Sequence, residues 1–103
     1  MKPAHEELMR RLTLNDESAL RDVMSGSAAL QVLDDRSVAL VQLAGLIATQ
    51  GDPTSFRTLI DTAQAAGAGK DQILGVPTAV APIVGSARIE AALPTILAAL
   101  QDG

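Results

Sequence analysis

Leu46-Ile47-Ala48-Thr49-Gln50-Gly51-Asp52-Pro53-Thr54-Ser55-Phe56 is the stretch whose reading decides the fold. Gly51 reads as a helix stop. Asp52 can accept the free N–H groups of a new helix, and Pro53 loses nothing at a first helical position, where its missing N–H has no partner in any case. A stop and a restart in neighbouring residues predict two helices joined by a tight turn. Upstream, Asp34 or Asp35 can cap the first of them. Its apolar positions Val38, Leu40, Val41, Leu43, Ala44, Leu46 and Ile47 go almost all the way round, which predicts burial on most sides. Downstream, Phe56, Leu59, Ile60 and Ala63 recur at i, i+3, i+4 and i+7, and Gly67 supplies a left-handed stop.

The same logic extends to both ends. Gly69-Lys70-Asp71-Gln72 opens a fifth helix running to about Val84, with Gln72 placed to reach back to the Gly69 N–H as half of a capping box. Pro77 and Pro82 lie inside it, and interior prolines cost about 3 kcal/mol or more each, so a kink or a break is expected there. After Gly85-Ser86, residues Ile89, Ala92, Leu93, Ile96, Leu97 and Leu100 keep a helical period to Asp102-Gly103, with a bend expected at Pro94. Towards the amino terminus, a short helix fits Pro3 to about Leu12, with Ala4, Leu8 and Leu12 on its apolar face. Asn15 reads as the N-cap of a second helix, with Leu14 and Ala19 as a hydrophobic staple and Leu20, Val23 and Met24 as a stripe ending at Ser25-Gly26. A loop to Leu33 follows. No stretch alternates as a strand would, and no Asn-Gly or Asp-Gly turn is present. The expectation is an all-α fold of six helices in a single domain, 1–103, with N-terminal helices in 1–32 and the core in 33–103. Residues 1–32 hold nine of the twenty charged side chains, which leaves the remainder to form the apolar centre.

Composition excludes several functions. The chain of 103 residues has no cysteine, which removes disulfides, thiolate nucleophiles and zinc–sulfur sites. Its one histidine, His5, supports neither a triad nor a histidine metal site and reads as a surface residue of the first helix. No metal and no cofactor are expected. Eight Lys and Arg against twelve Asp and Glu give a net charge of −4, and with neither Trp nor Tyr there is no cationic stripe or stacking platform for nucleic acid. The charged start lacks the apolar run of a signal peptide, and the longest uncharged stretch, Ile73 to Ala87, is short and contains two prolines. No membrane span and a cytoplasmic location are therefore expected.

The run from Leu33-Asp34-Asp35-Arg36 through Val41-Gln42-Leu43-Ala44, then Ala65-Ala66-Gly67-Ala68, Ile73-Leu74-Gly75-Val76 and Ala79-Val80-Ala81-Pro82-Ile83-Val84-Gly85 resembles the carboxymuconolactone decarboxylase-like family, which includes the alkylhydroperoxidase D-like proteins. The resemblance covers roughly residues 30–100. It implies a helical fold that assembles into trimers or hexamers. The chemistry of that family does not carry over. The Cys-x-x-Cys-x-x-x-His motif of the hydroperoxidase branch would fall on Asp52, Ser55 and Leu59, and its glutamate near Ala39 or Leu40. The polar Glu and His of the decarboxylase branch would fall near Pro53, Thr54, Ser55 and Leu59.

Two functional expectations follow. One is a non-redox, non-catalytic or catalytically degenerate oligomeric module for binding or interaction. The other is a cofactor-free lyase or hydrolase on a small acidic or lactone-like substrate, using Asp52, Ser55 and Arg57. Each candidate has a plainer role beside the chemical one. Asp52 and Ser55 can orient a proton, but Asp-Pro-Thr-Ser is a helix start and capping explains it. Arg57 can receive a carboxylate, yet Arg57 and Asp61 are also spaced as a solvated i, i+4 pair. Gln42 can place an amide in a pocket or at an interface, and Thr78 and Arg88 flank the fifth helix and its exit, where a cavity could form. Pro77 and Pro82 free the carbonyls of Ile73 and Thr78.

Overall fold

The computed structural model describes residues 3–26 and 32–102. Among them are six helices and no strand: α1 (Pro3–Thr13), α2 (Glu17–Met24), α3 (Asp35–Thr49), α4 (Pro53–Ala65), α5 (Lys70–Val84) and α6 (Ser86–Asp102). The all-α expectation holds. The chain divides into two units, Met1–Val32 and Leu33–Gly103. Part of the loop expected before Leu33, residues 27–31, lies outside the described residues, as does Gly103.

In the first unit α1 and α2 pack on each other. Their junction corrects the sequence reading by one residue. Asn15 adopts a left-handed conformation, φ 59°, while its N–H donates to Leu12 O and the Asp16 N–H donates to Arg11 O, at 3.1 Å each. This is a Schellman stop for α1, and Asn is the non-glycine residue that tolerates it best. The N-cap of α2 is therefore Asp16, whose Oδ1 accepts from the Ser18 and Ala19 N–H groups. The shift also removes the expected staple: Ala19 is buried but Leu14 is exposed. Arg11 secures the corner through Nε to Asp16 Oδ2 at 3.0 Å and Nη2 to Ser18 Oγ at 2.6 Å. On α1, Leu8 is buried, Leu12 and His5 are half-buried and Ala4 is exposed. The Leu20, Val23 and Met24 stripe of α2 is exposed.

In the second unit, α3 and α6 each pack against both α4 and α5 and touch one another less. The core follows the helical periods. Ala39, Leu43 and Ile47 come from α3, Phe56, Ile60 and Ala63 from α4, Ile73 and Pro77 from α5, and Ala92, Ile96, Ala99 and Leu100 from α6. No polar side chain is buried among the described residues. Asp34 caps α3 through Oδ1 to the Ser37 N–H at 2.7 Å, and Gln72 Oε1 accepts the Gly69 N–H at 3.1 Å, as its spacing suggested.

Two expectations are corrected here and a third is narrowed. The stop of α3 is Gln50 and not Gly51: Gln50 takes φ 58°, its N–H points to Ile47 O, and the Gly51 N–H donates to Leu46 O at 2.9 Å. At Gly51 an added Cβ would lie 2.6 Å from Leu46 Cδ2, the tip of a half-buried side chain that would have to shift. Next, α3 is buried on one face only. Val41 is 59% exposed and Gln42 is exposed, while Val38, Leu40, Ala44 and Leu46 flank the buried Ala39, Leu43 and Ile47 as half-buried residues. Of the kink or break expected in α5, the break is absent, since the helix is continuous through Pro77 and Pro82, as α6 is through Pro94. Burial of Pro77 in the core offsets part of its cost, and the Thr78 hydroxyl bonds back to Leu74 O at 3.4 Å.

Candidate functional site

A concave surface of the second unit lies where the turn between α3 and α4 meets α6. Two adjoining cavities share Pro53 and Thr95. The larger, about 330 Å³, is lined by Pro53, Thr54 and Arg57 of α4 and by Pro94, Thr95 and Ala98 of α6. The smaller, about 230 Å³, has an apolar wall that includes Ile47 and Phe56, with Gln50 and Gly51 at the turn and Arg88 and Thr95 on α6. Local folding explains who is there. The left-handed Gln50 turns the chain sharply enough to bring the start of α4 beside the end of α3, and Arg88, Ala91, Ala92 and Thr95 share one face of α6 at i, i+3, i+4 and i+7.

The expected site residues separate into groups. Arg57 and Arg88 line the adjoining cavities, one each. Arg88 is exposed, and its Nη1 approaches Val84 O at 3.5 Å. Asp52 and Ser55 lie at the head of α4 but line neither cavity. The Oδ1 of Asp52 accepts the Ser55 N–H at 2.7 Å, so the carboxylate is committed to capping. That backbone hydrogen bond, followed by one from the Ser55 hydroxyl, holds the Asp52 carboxyl below its ordinary range. A carboxylate stabilised as an anion in this way is a poor proton acceptor. Gln42 on α3 and Thr78 on α5 are exposed and line neither cavity.

Besides Asp52 and Ser55, the resemblance would place catalytic groups at Leu59 and near Ala39 or Leu40, and these are packing residues. Leu59 is half-buried against the core, Ala39 is buried and Leu40 is half-buried. No cluster of three or more His, Cys, Asp or Glu side chains that could hold a metal occurs among the described residues, and no helix there is long and apolar enough to cross a membrane. Sequence reasoning missed Gln50, Phe56 and Thr95 as cavity residues. The spacing of Thr95 seven residues after Arg88 carried a signal. Gln50 carried none, since a glutamine before Gly-Asp-Pro gives no hint that it and not the glycine takes the left-handed turn. No family model matches the chain, and no curated protein or solved structure matches it.

Proposed function

We propose that this chain is an oligomeric binding module of the carboxymuconolactone decarboxylase-like kind, without redox chemistry, that acts in the cytoplasm and takes a small acidic ligand in the groove between α4 and α6. The observation that carries this reading is the division of labour at the head of α4. The groups positioned for chemistry, Asp52 and Ser55, are used in capping, whereas the groove beside them stays open and is lined by Arg57 and Arg88. Binding residues without a committed proton acceptor suit recognition better than turnover. The competing reading, a cofactor-free lyase or hydrolase built on Asp52, Ser55 and Arg57, is weakened by the same capping bond.

Assembly is supported by what the second unit leaves uncovered. Val41 on α3, Ile83 on α5 and Leu97 on α6 are 59%, 84% and 43% exposed, one on each of three helices. Large apolar side chains in that state are stabilised by burial against a copy of the chain, usually in closed symmetry, and the family resemblance favours a trimer or hexamer. The test is a charge placed at two of these positions. Val41→Asp combined with Ile83→Asp is expected to lower the mass in solution to 10.6 kDa while the helical circular dichroism is retained. An unchanged mass would overturn the assignment of these helices to the interface.

A further inference from the structure

We infer that α5 is a contact between copies of the chain, packed antiparallel on the α5 of a second copy about a twofold axis at Ala79, with Ile83 of each copy over Gly75 of the other. The inference rests on the proposed assembly and goes further in naming the surface, its orientation and its symmetry. Of the two assemblies proposed it selects the hexamer, since a twofold contact belongs to dihedral symmetry and a cyclic trimer has none. Three observations carry it.

The first is shape. Gly75, Ala79 and Ile83 stand at i, i+4 and i+8 on the exposed side of α5. Ile83, 84% exposed, is the most exposed large apolar side chain among the described residues. Gly75 lies in a helix interior, where glycine is destabilising, and nothing in its own chain asks for it. Its φ is not positive, and an added Cβ would meet nothing within 4 Å. A local preference broken without a reason inside the chain marks a surface that another backbone approaches. Ala79 lies midway between the knob and the hole. An antiparallel copy centred on Ala79 therefore seats each Ile83 over a Gly75, and small residues at the centre let the two helices come close.

The second is polarity. Residues 72–87 hold no charged side chain, and the exposed Thr78 uses its hydroxyl to donate to Leu74 O at 3.4 Å. Packing this face on itself takes no charge out of water.

The third is charge at the two ends. Asp71 stands in the first turn of α5, and the Arg88 guanidinium lies at the opposite end, its Nη1 3.5 Å from Val84 O. Both residues are exposed, and neither makes an ion pair with a described residue. Within one chain the length of α5, about 20 Å, separates them. In the antiparallel pair the Asp71 end of each helix meets the Arg88 end of the other, so opposite charges face each other at both rims; a parallel pair would set like charges together.

The experiment uses the full chain, which has no cysteine of its own. Ala79→Cys is expected to oxidise to a covalent dimer, because each thiol faces its copy across the axis, while Thr58→Cys, exposed on α4, is expected to stay unlinked under the same conditions. Gly75→Leu fills the hole and is the better helix former. Its helical circular dichroism should be retained while its mass by light scattering falls to half that of the wild type. Asp71→Arg and Arg88→Asp should each weaken association about tenfold, and the two together should restore it. Charges about 20 Å apart in one chain lie beyond the screening length and couple only between copies. Equal linkage of the two cysteine variants, or a Gly75→Leu of wild-type mass, would overturn the α5 contact and leave the assembly standing. A double charge reversal no better than its parents would overturn the antiparallel orientation. A wild-type mass of three chains would overturn the twofold axis, and a mass of 10.6 kDa would overturn this inference together with the proposed assembly.

Discussion

Gln50 and Gly67 end consecutive helices with the same hydrogen-bonding pattern but with opposite suitability for it, and exchanging their character gives a quantitative test of the fold. Both have positive φ, 58° at Gln50 and 97° at Gly67, and both are followed by a residue whose N–H reaches back five positions, Gly51 to Leu46 O and Ala68 to Ala63 O, at 2.9 Å each. A left-handed backbone costs an L residue about 1–2 kcal/mol relative to glycine. Glycine in turn loses about 0.4–1 kcal/mol more through the freedom of the unfolded chain. The net for Gln50→Gly is a gain of about 0.5–1 kcal/mol. For Gly67→Ala the added Cβ meets nothing within 4 Å, so packing contributes nothing and the backbone term alone gives a loss of about 0.5–1 kcal/mol. In a domain of this size about 1 kcal/mol shifts the thermal midpoint by about 4–8 °C. Thermal and urea unfolding at one fixed protein concentration, which holds any assembly term constant, should therefore move the two variants in opposite directions. A destabilised Gln50→Gly, or a Gly67→Ala no less stable than the wild type, would show that the helix stops are wrongly placed.

Other consequences can be measured with the same material. Ile60 is fully buried, so Ile60→Ala should cost about 2–5 kcal/mol, whereas half-buried Leu59 should lose about half as much on truncation; equal losses in urea unfolding would contradict the difference in burial. Purified protein should show no peroxide turnover coupled to a dithiol donor, because that route needs a thiolate and the chain has no cysteine; any such turnover sinks the non-redox reading. The capping carboxylates Asp16, Asp34 and Asp52 all titrate below their ordinary value of 3.8, chiefly through the Arg11 hydrogen bond at Asp16 and backbone N–H groups at the other two. A carboxylate with a depressed folded pKa stabilises the fold above the unfolded value and loses that contribution as pH falls through the folded one. The thermal midpoint should accordingly drop on acidification below pH 3.8, and less steeply in Asp34→Asn with Asp52→Asn, where asparagine still caps; identical slopes would refute the assignment.

What was legible in the sequence was local. Asp34, Asp52 and Gln72 do their capping within three residues of chain, so no knowledge of the rest of the molecule was needed to place them. The face of α4 was legible because its polar and apolar residues separate cleanly around the helix. The burial of α3 was not, because an almost wholly apolar helix does not say how many neighbours it will have, and here Val41 is left exposed. The two turn errors share a cause. At Asn15-Asp16 and at Gln50-Gly51, adjacent residues compete for stop and start roles, and the backbone hydrogen bonds that decide between them leave no trace in residue type. Among the site residues, Arg57 and Arg88 were named from the sequence, while Gln50 and Phe56 joined them only through the approach of α3, α4 and α6.

The central claim, that this is a module completed by its own copies, is tested most directly by the mass of the untagged chain by light scattering at micromolar concentration. A mass of at least twice 10.6 kDa is expected, with three- or sixfold assembly favoured; a clean 10.6 kDa species would contradict self-assembly and leave Val41, Ile83 and Leu97 as solitary exposed side chains of a monomer.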